Sequence, residues 1–491
     1  MNRREFLKGC AAVGLLGNVS TATGEGGPNK PRRPNVVFLM ADDLGFGDVG
    51  FNGNKVIKTP HLDKMAADGI RFTRFYSIGP ICSPTRASCL TGRHYMRFGM
   101  MDVNVGKLPT QEVTLAKLTK AAGYTTGHFG KWHLGTMSKT ESPRKDPAGR
   151  FGPPWQRDYD DAFATEISCP TWDPASGKYR QHNSPYWHNG VKATDNLEGD
   201  DSRVLMDRAI PFVEKAVAAG KPFMTTIWFH APHSPVVAGP PYLAMYGEHP
   251  EGARHYYGCI TAMDEQVGRL RAKLAELGVA DNTLVMFCSD NGPEGTGKPA
   301  KRYEAYRGAF YGTTGGLRGR KRYLYNGGVC VPAAAVWPGT IAPGRVVTMP
   351  TSVLDYLPTL CELTGRPAPA DRPLDGESVL PMLTGKPQSR RTPLPFATNV
   401  RKPYSAWIRG DYKLVSNLDA DGDTDELYHV QDDPSEATDL TARHPERVAA
   451  MRSELLAWLR TCRKSYDGGD YAEAYTPQGA FLKTPLPDKQ E

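Results

Sequence analysis

An α/β fold follows from three observations on this sequence. Residues 35–41 (N-V-V-F-L-M-A), 222–229 (P-F-M-T-T-I-W-F) and 283–288 (T-L-V-M-F-C) are continuous apolar runs rich in β-formers, the mark of strands buried on both faces. Helical patterns at 114–122, 201–219 and 256–277 alternate with such runs. Each run also empties into a polar cluster at its carboxyl end, the edge where open α/β sheets bind ligands. From about residue 392 the pattern shifts to short strands and one helix. At 491 residues the chain exceeds one average domain, which fits a large core with a smaller appended unit.

The N-terminus, M-N-R-R-E-F-L-K-G-C-A-A-V-G-L-L-G, joins Arg3 and Arg4 to a short apolar run at 10–16. This is the pattern of a twin-arginine export signal, with residues 1–28 as signal and linker, and it predicts a periplasmic or extracellular protein. Cys10 precedes the apolar run, which argues against a lipoprotein anchor. No stretch reaches the ~20 apolar residues of a membrane span. Hydrophobic residues make up 40% and charged residues 23% of the chain, an ordinary globular balance. The net charge of +7 suits anionic substrates, and no Lys/Arg block or basic-aromatic ribbon points to nucleic acid. Nine cysteines without C-x-x-C spacing argue against zinc and do not choose disulfide pairs.

In chain order, strand 35–41 ends in Asp42-Asp43, adjacent carboxylates that repel unless a cation or solvent separates them. Residues 59–72 read as a helix. Next comes I-C-S-P-T-R-A-S-C-L-T-G-R at 81–93. Ser83 is a good N-cap, Pro84 suits the first helical position, and Gly92 can close the helix. Cys82 would then stand just outside a helix N-terminus, with a lowered pKa and a reactive thiol. C-x-x-x-R alone would describe an ordinary buried cysteine. A strand at 123–129, with His128 as a core residue, leads to G-K-W-H-L-G at 130–135, which carries Lys131 and His133.

Residues 138–197 lack periodicity. Trp172, His182, Trp187 and His188 there suit either stacking on sugars or ordinary loop packing. Strand 222–229 runs into H-A-P-H-S-P, with His230 and His233, and strand 283–288 into S-D-N-G-P, with Asp290 and Asn291. Asp42, Asp43, Asp290 and Asn291 are four oxygen donors without a Cys or His partner, a calcium-type rather than zinc-type set. A basic cluster at 316–322 includes Lys321. Residues 351–364 read as a helix, and the stretch from Asp375 to 383 closes the large unit. Strands at 405–408 and 412–416, a strand from 426 and a helix at 444–459 follow. Residues 419–425 (D-A-D-G-D-T-D) mimic a calcium loop, but the glycine is misplaced for an EF-hand.

C-S-P-T-R followed by A-S-x-L-T-G-R resembles the signature of the type I, formylglycine-dependent sulfatases of the alkaline phosphatase superfamily. The D-D-L-G-F-G-D-V-G, G-K-W-H-L-G, H-x-P-H and S-D-N-G-P segments and the Gly316–Pro332 region resemble further family motifs in the same order. The overall look is nearest to arylsulfatase A-like and N-acetylgalactosamine-6-sulfatase-like members. The resemblance implies an alkaline phosphatase-like α/β/α sandwich with a mixed central sheet over residues 33–390, and a small C-terminal α+β subdomain, an antiparallel sheet plus helix, over 391–485. It also implies formylglycine made from Cys82 by a maturation enzyme, and one calcium ion held by Asp42, Asp43, Cys82, Asp290 and Asn291. Arg86 would position the nucleophile, Lys131 and Lys321 would neutralise sulfate, His233 would serve the leaving group, and His133 would work on the formylglycine. Asn326 and Cys330 depart from the family's usual Glu and Arg. A sulfated saccharide is the implied substrate class. A phosphodiesterase or phosphonate hydrolase of the same superfamily and a non-catalytic sulfoglycan-binding protein are the alternative readings.

Overall fold

The main sheet is read from a computed structural model that describes residues 33–179, 184–295, 308–418 and 424–482. The predicted signal at 1–28, His182, and residues 419–423 of the calcium-loop mimic lie outside the described residues. Ten strands form this sheet. From one edge they run Arg345–Val347, Ile70–Phe72, Ala333–Val336, Thr283–Ser289, Asn35–Ala41, Phe223–Trp228, Thr125–Lys131, Asp161–Thr165, Tyr186–His188 and Val191–Lys192. The five strands from Thr283–Ser289 to Asp161–Thr165 are mutually parallel, and antiparallel neighbours flank them on both sides, so the sheet is mixed.

Strand Asn35–Ala41 is buried along its whole length because helices cover both faces. Val36, Phe38 and Met40 point into one core with Leu90, Leu115 and Leu360, while Val37, Leu39 and Ala41 point into the other with Val204, Ile260 and Met263. Helices Cys82–Thr91, Leu115–Ala121 and Tyr356–Thr364 cover the first face, and Pro60–Ala67, Asp201–Ala218 and Glu251–Glu276 the second. Each fully buried Val, Leu, Met or Phe contributes roughly 1.5–3 kcal/mol. This is the α/β fold that the strand patterns predict, in the α/β/α arrangement that the family resemblance implies.

Register then fixes the site. Ala41 stands opposite Ser289, and Met40 opposite Trp228, so the residues after these strands emerge side by side. Gly130 is likewise paired with Trp228.

A second, four-stranded antiparallel sheet runs Leu394–Ala397, Ser405–Arg409, Tyr412–Ser416, Asp425–His429. Helix Pro445–Tyr466 packs on its two middle strands and on the turn Tyr95–Phe98. This helix outruns the predicted 444–459, since Cys462 extends its buried stripe of Val448, Met451, Leu455 and Leu459.

Four readings need correction. The helix predicted over 59–72 covers only Pro60–Ala67, and Ile70–Phe72 is a strand. Gly69 lets the chain turn into the sheet, where a Cβ would stand 2.1 Å from the Ala335 carbonyl oxygen. The helix predicted over 351–364 begins at Tyr356, because Ser352 and Asp355 form a capping box that holds Val353–Asp355 as a 3₁₀ turn. The stretch 138–197 contains three strands too short to show periodicity. Finally, the helix after Ile81 begins at Cys82 itself, with Ile81 as N-cap. Ser83 does not cap it; its hydroxyl donates to the His133 carbonyl oxygen at 2.8 Å. Gly92 closes this helix as expected, at φ 64°.

Candidate active site

Four strand ends deliver the polar residues. Asp42 and Asp43 follow Asn35–Ala41, Lys131 ends Thr125–Lys131, His233 follows Phe223–Trp228, and Asp290 and Asn291 follow Thr283–Ser289. The N-terminus of helix Cys82–Thr91 points at them, and the loop with Lys321 closes from the side. Asp43 at φ 66° and His133, two residues after Lys131, at φ 59° occupy the left-handed region that L-residues seldom adopt. Backbone strain of about 1–3 kcal/mol at each turns the chain sharply at the strand end.

The geometry is dense. Cys82 Sγ lies 3.4 Å from Asp42 Oδ1, and Lys131 Nζ lies 3.5 Å from that sulfur and 2.6 Å from Asp42 Oδ2. Arg86 donates to Asp290 Oδ2 from Nε at 3.0 Å and Nη2 at 2.6 Å, and to the Lys131 carbonyl oxygen at 3.0 Å. Its guanidinium stands 5.2 Å from the Trp228 ring centre. Lys321 Nζ donates to Asp43 Oδ2 at 2.7 Å, whereas Arg320 donates to backbone oxygens and Arg322 to Glu294. Lys321 is therefore the member of the basic cluster that enters the site. His233 Nε2 is 3.8 Å from Asp43 Oδ2, with Nδ1 against the Ser234 carbonyl oxygen at 2.6 Å. His133 Nε2 pairs with Asn104 Oδ1 at 3.1 Å. A cavity of about 500 Å³ joins Asp43, Cys82, Lys131, His133, His233 and Lys321.

Charge in this buried site departs from solution behaviour. Burial alone would raise the Asp42 carboxyl, but Lys131, His233 and Arg86 hold it well below the usual range. Burial and the Asp42 charge push Asp290 up to about 7. Cys82 corrects the sequence reading. Its thiol is pushed well up, first by burial and then by Asp290 and Asp42, which outweigh Lys131 and Lys321. As a thiol it is a poor nucleophile. His133 is held neutral by burial and by Lys131, Arg144 and Arg86, and His233 is pushed down to about 4, by burial and then Lys131. Lys321 stays charged: burial opposes this, but Asp43 and its neighbours raise it well above the usual lysine range.

The residues present fit a hard divalent cation. Asp42, Asp43, Cys82 and His233 each offer a ligand atom within 4.8 Å of one another. Asn291 Nδ2 donates to Asp43 Oδ1 at 2.7 Å, and Asn291 Oδ1 is buried without a hydrogen-bond partner among the described residues. An orphaned amide oxygen beside two carboxylates is a ligand atom in search of a metal. Asp290 is drawn otherwise: Oδ2 serves Arg86, and Oδ1 accepts the Asp43 N–H at 3.1 Å.

The remaining predicted residues sort cleanly. His128 is a core residue, buried and paired with Thr226 Oγ1 at 2.7 Å. His230 belongs to a separate buried network with Asp201 (2.8 Å) and Thr165 (2.6 Å). Trp172 packs over Gly239, and His188 pairs with Asp161; neither they nor Trp187 line the cavity. Asn326 Oδ1 accepts from Lys413 at 3.0 Å, which ties the small sheet to the Lys321 loop. Asn104, Arg144 and Glu294 line the cavity and belong to no motif singled out in the sequence. The positive φ of Asn104, 62°, is a turn feature that Asn tolerates, the one local signal available.

Comparison with known proteins is consistent along the chain. The family model described as Sulfatase matches residues 34–366, and that described as N-sulphoglucosamine sulphohydrolase, C-terminal, matches residues 319–464. Arylsulfatase A of Homo sapiens is 36% identical over 74% of this chain and 71% of its own length. N-acetylgalactosamine-6-sulfatase of Canis lupus familiaris is 33% identical over 75% and 69%. Among solved structures, that of Ps i-CgsB in complex with k-i-k-neocarrahexaose is similar at a TM-score of 0.74, with 27% identity and coverage of 91% of this chain and 95% of that one.

Proposed function

The chain belongs to the sulfatase family and is a sulfuric ester hydrolase, and from that premise we propose an exported, calcium-dependent enzyme that acts on sulfated carbohydrates through formylglycine made from Cys82. The observation that carries this reading is the meeting of Cys82, Asp42, Asp43 and the unpartnered Asn291 Oδ1 at one sheet edge, ringed by Lys131, Arg86 and Lys321.

We assign Asp42, Asp43, Asp290, Asn291 and position 82 to calcium, which when bound would polarise a sulfate oxygen and neutralise the carboxylates. Formylglycine, as its hydrate, would supply one hydroxyl to attack sulfur and a second whose deprotonation expels sulfate. Around these groups the side chains have distinct tasks. Arg86, fixed by Asp290, orients position 82. Lys131 and Lys321, both buried, would place fixed positive charge against sulfate oxygens. His133, neutral and with Nδ1 free of any hydrogen bond among the described residues, is in the right state to accept a proton. His233 serves the departing alcohol; it is neutral in the structure, and an arriving sulfate places negative charge beside it that favours the protonated form.

The saccharide substrate class is supported by the relative named for N-acetylgalactosamine-6-sulfate and by the carrahexaose complex, and does not extend to a named sugar. Export is supported by Arg3, Arg4 and the apolar run after them. Among the described residues no helix is long and apolar enough to cross a membrane. We place the boundary between catalytic domain and subdomain near residue 390, where the antiparallel sheet begins. A maturation enzyme is the required partner, because burial makes the unmodified thiol unreactive.

The test is the stoichiometry of position 82. Preparations made with and without a formylglycine-generating enzyme are compared by mass spectrometry of the tryptic peptide 75–86 and by aryl sulfate turnover. Turnover should scale with the aldehyde fraction. Cys82→Ala should fold and lose at least about 10⁴-fold in kcat. Equal turnover from a sample that is entirely thiol would overturn the reading. Faster turnover of an aryl phosphate diester than of aryl sulfate would favour the phosphodiesterase alternative.

A further inference from the structure

Of the cations that line the cavity over Cys82, Arg144 and Arg322 have no task in the chemistry above. Among the cations lining it, Lys131 is bound to Asp42 at 2.6 Å, Lys321 to Asp43 at 2.7 Å, and Arg322 to Glu294 at 2.9 Å. Arg144 differs. Its side chain is only 6% exposed, yet among the described residues its guanidinium makes no hydrogen bond, and Nε and Nη2 are buried without partners. It does lie 3.2 Å from Glu166 Oε1, but that oxygen already accepts from Ser142 Oγ at 2.6 Å, and Glu166 Oε2 faces the Met137 N–H at 3.3 Å. A guanidinium carries five donors in a rigid fork suited to a planar or tetrahedral oxyanion. Leaving such a group buried with its donors unmet is costly. Burial also pushes Arg144 down to about 10, against the pull of Glu166. Asp102 lines the same cavity, with its Oδ1 accepting the Val103 N–H at 2.7 Å.

Arg144 sits beside His133. Its charge helps to keep that imidazole neutral, and the His133 N–H donates to the carbonyl oxygen of Glu166, the residue Arg144 leans on. A saccharide with its scissile sulfate over position 82 would bring neighbouring substituents past this point. We propose that Arg144 is a specificity residue that pairs with a second anionic group, a carboxylate or another sulfate, on the same saccharide as the scissile sulfate. The substrate class narrows accordingly, from sulfated to multiply anionic saccharides. This rests on the sulfatase reading of the cavity.

The test uses the full-length, aldehyde-bearing enzyme with aryl sulfate as reporter. Three competing saccharides are titrated: one with a single sulfate, the same sugar with two sulfates, and a sulfated disaccharide with a uronate carboxylate. Wild type, Arg144→Gln and Arg144→Lys are compared by the ratio of inhibition constants for doubly and singly anionic competitors. Wild type should favour at least one doubly anionic competitor, Arg144→Gln should lose about 10-fold or more of that preference, and Arg144→Lys should keep part of it. The preferred competitor tells carboxylate from sulfate. An unchanged ratio in Arg144→Gln, or a wild type without preference, overturns the proposal, because a residue that only props the loop would weaken all three competitors alike. Failure of aldehyde-bearing wild type to turn over aryl sulfate at all would instead remove the sulfatase reading beneath it.

Discussion

Two clusters of buried charge hang from opposite ends of helix Cys82–Thr91, and they are built to different ends. At its N-terminus, Asp42, Asp43 and Asp290 pair directly with Lys131, Lys321 and Arg86 at the edge of a cavity, and among the described residues Asn291 Oδ1 and His133 Nδ1 have no hydrogen-bond partner. Just past its C-terminus, Arg97 meets Asp375 with nothing left over on the carboxylate. Asp375 accepts from Arg97 Nε at 2.7 Å and Nη2 at 2.6 Å, from the His94 N–H at 2.7 Å and from Trp458 Nε1 at 2.8 Å. Arg97 also reaches Ser465 at 3.0 Å and Thr461 at 3.2 Å on the C-terminal helix. Charge that is fully met on all sides is structure. Charge that is met on one side and faces a cavity with spare ligand atoms is a site awaiting a partner.

The largest effect that separates the two clusters is metal removal. Exhaustive chelation should abolish turnover, and calcium should restore it better than zinc, because the donors are hard oxygens. Calcium at 100 times its dissociation constant should add about 2.7 kcal/mol of stability, read as a rise in the thermal midpoint. Undiminished activity with no metal found by elemental analysis would sink the calcium assignment. The Arg97–Asp375 cluster predicts the reverse profile. Asp375→Asn puts amide hydrogens where donors already point and leaves Arg97 buried without its counter-charge, at a cost of about 3–5 kcal/mol in urea unfolding. The protein that remains folded should keep its kcat. A variant of wild-type stability, or one stable but inactive, would break the division drawn here.

Sequence reading reached these two clusters unequally, for a physical reason. Asp42, Asp43, Lys131, Asp290 and Asn291 stand directly at or after buried strands, so a local apolar run announces each of them and parallel pairing assembles them. The C-terminal hairpin at 405–416 was likewise legible as two short strands around a turn at Gly410-Asp411. The thiol's state was not, since it depends on burial and on Asp290 and Asp42, residues brought close only by the sheet. Ser83 looks like a cap from its neighbours, yet donates to His133, 50 positions away. Arg144 and Asn104 lie in loops without periodicity, and the role of Asp375 is written in partners as distant as Trp458. Strands Asp161–Thr165, Tyr186–His188 and Val191–Lys192 escaped notice because five, three and two residues are too few to display a period.

The smallest effect expected is a difference in slope with pH, and it addresses Asp375 alone. Burial by itself would raise this carboxyl, but Arg97, with the His94 N–H and Trp458, holds it well below the usual carboxylate range. For an acid whose folded pKa is depressed, the stabilisation is fully present above the unfolded value, near 3.9, and is lost as pH falls towards the folded one. In that acid window the folded state binds less of this proton than the unfolded state does. Wild type should therefore lose up to about 1.4 kcal/mol per pH unit through Asp375, over and above what its other carboxylates contribute. Asp375→Asn cannot titrate there. The stability gap between the two proteins, measured by urea unfolding at steps from pH 5 to pH 2.5, should be constant above about pH 4.5 and narrow below it. The carboxylates around Cys82 titrate alike in both proteins and cancel from the difference. A gap of constant size down to pH 2.5 would mean that the Asp375 proton is bound equally in both states, and the cluster past the helix end would lose its claim to be the satisfied one of the pair.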